Sequence, residues 1–212
     1  MRFCSIRAGP FVRLGLPALL LLIGAQILSA DIITLTLVAG NTALSGGSTP
    51  PPYGTISVDV PTVGGAATIT VTGAGSYTFG DGAMLGFNVA GSTAGLSVNG
   101  PTSIKIVNCC NPQNVDGWGL YQVTIDNKDG WPMSLSSFVL TVNRTGGFAS
   151  ASDLVVNNGM GHPFVAHVFA NGGAFTGYAT TGVIPEPGTL ALIGGGLLGM
   201  GIFSRRRLAR KG

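Results

Sequence analysis

Two tryptophans stand in matching settings, Asp116-Gly117-Trp118 and Asp129-Gly130-Trp131. An indole offers a flat apolar face, and nearby carboxylates and amides can bind hydroxyls. Trp118 and Trp131, with Asp116, Asp129, Asn114 and Asn127, therefore have the chemistry of a sugar-stacking platform. The competing reading is packing, because tryptophan buries a large area and its N–H needs a partner.

Cys109 and Cys110 are adjacent and the chain has no C-x-x-C, so the spacing excludes a zinc ribbon or a thioredoxin-like motif. In an oxidising compartment the pair closes a vicinal disulfide, bonds to another chain or stays reduced. The vicinal disulfide is the form expected, stiffening a loop over 108–114.

Catalytic chemistry has little support. Between residues 31 and 184 there is no glutamate and no G-x-S-x-G, and the serines and aspartates are explained by turns and strand faces. No catalytic residue is assigned and no enzyme is expected. His162 and His167 read as a loop residue and a strand residue, and two histidines without clustered carboxylates make a poor metal site. The stretch 126–130 looks like a calcium loop but has Lys128 at a ligand position. Neither metal nor cofactor is expected. Asn143-Arg144-Thr145 is a glycosylation sequon.

The elements that must position these residues are strands. Alternating or apolar runs occur at 32–38, 55–60, 67–72, 84–89, 104–107, 120–125, 137–142 and 165–169. Within 120–125, Tyr121, Val123 and Ile125 fall on one face. Turn signals such as Asp81-Gly82, Asn99-Gly100-Pro101 and Asn171-Gly172 separate the runs. One short helix is expected over 150–156, capped by Ser150 or Ser152. The pattern predicts an all-β domain over 31–170, a single antiparallel β-sandwich of jelly-roll-like type, followed by a flexible stalk over 171–184.

The ends of the chain differ from this body. Arg2, Arg7 and Arg13 precede an apolar run over 14–27, and Leu28-Ser29-Ala30 offers a cleavage site before Asp31. This reads as a signal peptide over 1–30, with an uncleaved anchor as the alternative. At the other end come Pro185, Glu186 and Pro187, an uncharged run of 17 residues with six glycines at 188–204, and then Arg205, Arg206 and Arg207. The run is a short, weakly apolar membrane span with a basic cytoplasmic flank. Gly194, Gly196 and Gly199 spell G-x-G-x-x-G there, but a dinucleotide fingerprint needs a preceding strand and does not belong in a bilayer.

Charge follows this division. The ends carry eight basic residues against Glu186, so the formal net charge of +3 takes its sign from them; residues 31–184 keep Lys105, Lys128 and Arg144 against seven aspartates, a formal charge of −4. With no basic patch to neutralise phosphates, nucleic acid is not expected as a partner.

The segment 185–211 closely resembles the C-terminal sorting signal of PEP-CTERM proteins. The resemblance implies export by a Gram-negative bacterium that makes exopolysaccharide and recognition of Pro185, Glu186, Pro187 and the basic tail by an exosortase-type processing protease. It also implies transient residence in the inner membrane before release to the surface or matrix. The same signal is also catalogued as an ice-binding protein C-terminal domain, a label that describes the tail. Val115-Asp116-Gly117-Trp118-Gly119, Val123-Thr124-Ile125-Asp126-Asn127, Phe148-Ala149-Ser150-Ala151 and Ala166-His167-Val168 look like the ectodomain of one PEP-CTERM subgroup, a resemblance that carries over no functional residues. The function expected is a structural or adhesive role in exopolysaccharide or biofilm, with weak carbohydrate binding. The alternatives are ice binding, suggested by Thr34-Leu35-Thr36 and Thr68-Ile69-Thr70-Val71-Thr72, and, less favoured, a secreted hydrolase. No fixed-period repeat is present that would stack the threonine rows.

Overall fold

Apolar residues alternate with threonine, serine and aspartate along 54–60, 67–73 and 137–143. Each of these runs is a strand with its apolar side buried. The computed structural model describes residues 31–45, 49–127 and 133–182. The expected signal peptide, the expected sorting signal, Asp129 and Trp131 lie outside them.

Eleven strands occur among the described residues: β1 (Asp31–Gly40), β2 (Gly54–Val60), β3 (Ala67–Gly73), β4 (Thr78–Phe79), β5 (Leu85–Phe87), β6 (Ser97–Asn99), β7 (Ile104–Asn114), β8 (Leu120–Asn127), β9 (Ser137–Asn143), β10 (Phe164–Ala170) and β11 (Phe175–Thr181). One helical turn, α1 (Thr42–Ser45), follows β1. Asn41 precedes it, and Asn41 Oδ1 accepts from the Leu44 amide at 3.4 Å, as a helix-capping side chain does. The helix expected over 150–156 is a single 3-10 turn, Ala151–Asp153, and Ser150 makes no side-chain cap bond. The cap comes from a distant residue, since Ala151 donates its amide to Asp31 Oδ2 at 2.8 Å.

Every strand pair is antiparallel, and the hydrogen-bonded order is β6-β9-β3-β2-β1-β11-β10-β5-β8-β7, with β4 beside β10. The described residues adopt the all-β antiparallel class expected from sequence, and the pairing joins their strands in one continuous sheet where a jelly-roll-like sandwich of two was expected. That sheet curls over itself. Laid flat, the six strand spacings from β9 to β4 would separate them by about 29 Å. The Phe138 and Phe79 rings, one from each strand, lie 6.0 Å apart edge to face. Phe79 and Leu135 then exchange backbone hydrogen bonds at 2.8 Å, and Gly73 donates to Ser136 O at 2.8 Å, stitching the fold where it closes. The main core fills the concave side, with Ile56, Ile69, Phe87, Ile125, Leu140 and Phe164 all fully buried.

Three local expectations are corrected. The stalk placed at 171–184 contains β11, an interior strand paired with β1 on one side and β10 on the other. Its small residues read as a linker, yet Gly177 is required: a Cβ there would lie 2.4 Å from Asn41 Oδ1. The loop expected at 108–114 is the second half of β7, kept in the sheet by bulges. Between Cys109 and Gln113 it carries two more residues than the facing stretch of β8. Cys109 and Cys110 form a vicinal disulfide at this bulge, with Cys110 in the left-handed region at φ 75°. Finally, Tyr121 does not join Val123 and Ile125 in the main core. It packs with Ala83, Val115 and Val165 in a second, smaller core. Val165 lies between Phe164 and Ala166 of the main core, so this second core is on the convex face of β10. Gly86 makes the room, because a Cβ there would sit 2.8 Å from Val165 Cγ1 and 3.2 Å from Tyr121 Cγ.

Candidate functional site

The convex surface carries two different sets of side chains. The first is a sheet of hydroxyls on β1, β2, β3 and β9. Because the four strands are antiparallel neighbours in fixed register, their outward positions line up in rows across the sheet. One row is Thr36, Thr55, Thr72 and Ser137; the next is Thr34, Ser57, Thr70 and Val139; the third is Ile32, Asp59, Thr68 and Thr141. Nine of these twelve positions bear a hydroxyl, Asp59 is the single charge, and the first row is exposed at all four positions. Successive rows are about 6.8 Å apart and strands about 4.8 Å, so the face is a regular grid roughly 14 Å on a side. Thr34 Oγ1 and Ser57 Oγ approach to 3.2 Å, and Thr72 Oγ1 and Ser137 Oγ to 3.4 Å. A hydroxyl has one proton and two lone pairs, so such a pair retains capacity toward solvent or a ligand.

The second set, over β10 and β11, lies with Trp118 and Asp116, two of the residues predicted from sequence for the sugar platform. His167 and Tyr178 are cross-strand partners with rings stacked at 4.5 Å and 16°. Both His167 nitrogens are engaged, Nδ1 with the Asp81 carbonyl and Nε2 with Thr176 Oγ1 at 2.6 Å. A carbonyl can only accept, so the proton sits on Nδ1, and the ring is held in place with no nitrogen left for a metal. Trp118 is half-buried against the smaller core, donates its indole N–H to Tyr178 O at 3.2 Å, and meets the His162 ring edge-on at 5.0 Å. This is a packing arrangement. Asn158 Nδ2 donates to Trp118 O at 2.6 Å, and Asn158 Oδ1 accepts from the His162 amide at 3.0 Å, so a side-chain clamp fixes the turn.

The polar companions expected around Trp118 separate. Asp116 stays at the site, where its Oδ2 accepts from Asn41 Nδ2 at 3.2 Å. Asn114 ends β7 and pairs with Leu120. Asn127 is withdrawn from any ligand: it is 1% exposed, and its Oδ1 accepts from the Asp81 amide at 2.7 Å. Burial pushes the Tyr178 phenol up to about 12, helped by Asp116, Asp126 and Asp81 around it. Burial, with Asp81 beside it, also raises Asp126 above the usual carboxylate range. Sequence reasoning missed Tyr178, which fell in the expected stalk. Among the described residues no group of three or more His, Cys, Asp or Glu could hold a metal ion, and no helix is long and apolar enough to cross a membrane.

A family model for the PEP-CTERM protein-sorting motif matches residues 183–207, directly after β11 and Gly182. The chain therefore carries the sorting signal of an exosortase substrate, a protein that is exported, passes through the membrane, is processed there by exosortase and reaches the surface. No curated protein and no solved structure matches the chain.

Proposed function

We propose that this PEP-CTERM protein is a structural and adhesive component of the polysaccharide matrix outside a Gram-negative cell. In this reading it holds neutral polysaccharide weakly through the hydroxyl face of β1, β2, β3 and β9, and acts by binding and not by catalysis. The observation that carries the reading is the grid itself, nine hydroxyls at twelve outward positions in register. Each hydroxyl–hydroxyl bond nets only about 1 kcal/mol, since water competes for both partners. A flat repeating grid meeting a repeating polymer sums many such bonds along the chain, which gives adhesion without tight binding of any one sugar. The body, at formal charge −4 with few cations, disfavours acidic polymers relative to neutral ones.

Retention of the exported protein on an insoluble neutral polysaccharide tests this, beside the Thr36→Val, Thr55→Val, Thr72→Val triple variant. Valine keeps the branched shape and strand preference while removing the hydroxyls. Several-fold weaker retention with an unchanged melting temperature is expected; equal retention would refute the assignment of the face. The same grid favours one other reading, binding to ice, whose surface is also a lattice of donors and acceptors. Ice shaping or thermal hysteresis by the wild-type protein, lost in the triple variant, would establish that reading in its place.

A further inference from the structure

Just past the end of β9, the loops 90–92 and 144–149 and the 3-10 turn line an open surface hollow of about 440 Å³. Its lining includes Gly91, Ser92, Arg144, Thr145, Gly146 and Asp153. Arg144 is largely buried, at 13% side-chain exposure, and is paired with Asp153 at 2.8 Å. Its Nε donates to Gly147 O at 2.6 Å, its Nη1 to Ala90 O and its Nη2 to Asp153 Oδ2 at 2.8 Å, and its guanidinium lies 4.3 Å from the centre of the Phe148 ring. A guanidinium has five N–H groups, so two are left without a partner among the described residues. Asp153 Oδ2 also accepts from the Ala149 amide at 2.8 Å, whereas its Oδ1 takes no hydrogen bond from the described residues. The Gly91, Ser92 and Gly146 amides likewise donate to none of them.

The geometry points to a saccharide subsite here, taking one or two rings of a neutral sugar from the polymer the protein contacts. The assignment rests on the matrix reading above. A vicinal diol both donates and accepts, and this cavity provides both partners side by side: unused guanidinium N–H groups on Arg144, and an unused carboxylate oxygen on Asp153. Because Asp153 balances Arg144, the cavity carries no net positive charge, and an acidic sugar would meet the Asp153 carboxylate. The volume lies in the lower part of the range for small-ligand sites, which suits one or two rings. Arg144 and Asp153 also hold each other, so the polar geometry is set before a ligand arrives.

Amide chemical shifts of the isotopically labelled exported protein test the subsite, titrated with methyl glucoside, cellobiose and glucuronate. Neutral sugars are expected to saturate shifts at Gly91, Ser92 and Gly146 with a dissociation constant on the order of 1–10 mM. Ser92→Tyr fills the cavity from an exposed position while leaving the Arg144–Asp153 pair in place, and should weaken binding by about tenfold or more. Arg144→Lys should weaken it too, but that change also removes bonds joining two loops, so the Ser92 variant decides. Absence of shifts, shifts unaffected by Ser92→Tyr, or tighter binding of glucuronate than of the neutral sugars would overturn the assignment. Failure of the matrix reading looks different. If the threonine triple variant and wild type retain polysaccharide equally while methyl glucoside still saturates Gly91 and Ser92, the subsite survives and the hydroxyl face does not.

Discussion

The two halves of the curled sheet bury the same inner core but treat their outer faces in opposite ways. Along β1, β2, β3 and β9 the convex positions are exposed or half-buried and nine of twelve bear hydroxyls, so alternate residues carry little packing. Along β10, β5 and β8 both faces are covered, and β10 has one residue in seven that is not buried, His167. The difference teaches where this chain can vary for function. A face left largely open by the described residues can hold a near-uniform chemical grid, while a face under a second core must match its cover residue by residue.

The sharpest break of this comparison is truncation on the covered side. Tyr121→Ala, fully buried in the smaller core, should cost about 3–5 kcal/mol, measured by urea denaturation; a value below about 1 kcal/mol would mean that the outer cover contributes little. Trp118→Ala removes a half-buried ring and its bond to Tyr178 O, and about 2 kcal/mol is expected by the same measurement. If Trp118 instead bound ligand and did not pack, stability would hold and polysaccharide retention would fall.

Two titrations sharpen the contrast, because the covered half is where burial shifts acids. Tyr178 is raised to about 12 in the folded protein, against the ordinary value of 10.0. The folded state therefore keeps its proton where the unfolded chain has lost it. Stability from this group is fully present below pH 10 and declines as pH rises through about 12, and Tyr178→Phe should flatten that decline in thermal melts. Asp126, also raised, follows the same sign at the acid end. Its ionised form is disfavoured by folding at neutral pH, so Asp126→Asn should raise the melting temperature modestly at pH 7, with the gain disappearing on acidification. The smallest effect belongs to the open half, where Thr70→Ala should change stability by no more than about 0.5 kcal/mol.

How much of this was legible in the sequence follows from the same contrast. Strands with one open face announced themselves by alternation, and β2, β3 and β9 lie within one or two residues of their expected bounds. The short strands β4 and β6 have two and three residues and leave no period to detect. β11 was hidden because its glycine, threonines and alanine resemble a linker, and its burial is imposed by β1 and β10 and by nothing local. The threonines were visible, but their alignment was not. It depends on β9 pairing with β3 across some seventy residues of chain, which no local repeat encodes. The Arg144 cavity joins residues near 91, 145 and 153, and the sequon at Asn143 was the only local signal nearby.

Interior placement of β11 has a mechanical consequence. The sorting motif begins one residue after Gly182, so any load borne by the tail enters the body through β11. A terminal strand at a sheet edge can be peeled away bond by bond. This one is flanked by β1 and β10, so a pull must work against neighbours on both sides. A protein gripped by its C-terminus is thus held at the middle of its sheet, where tension spreads into both halves at once.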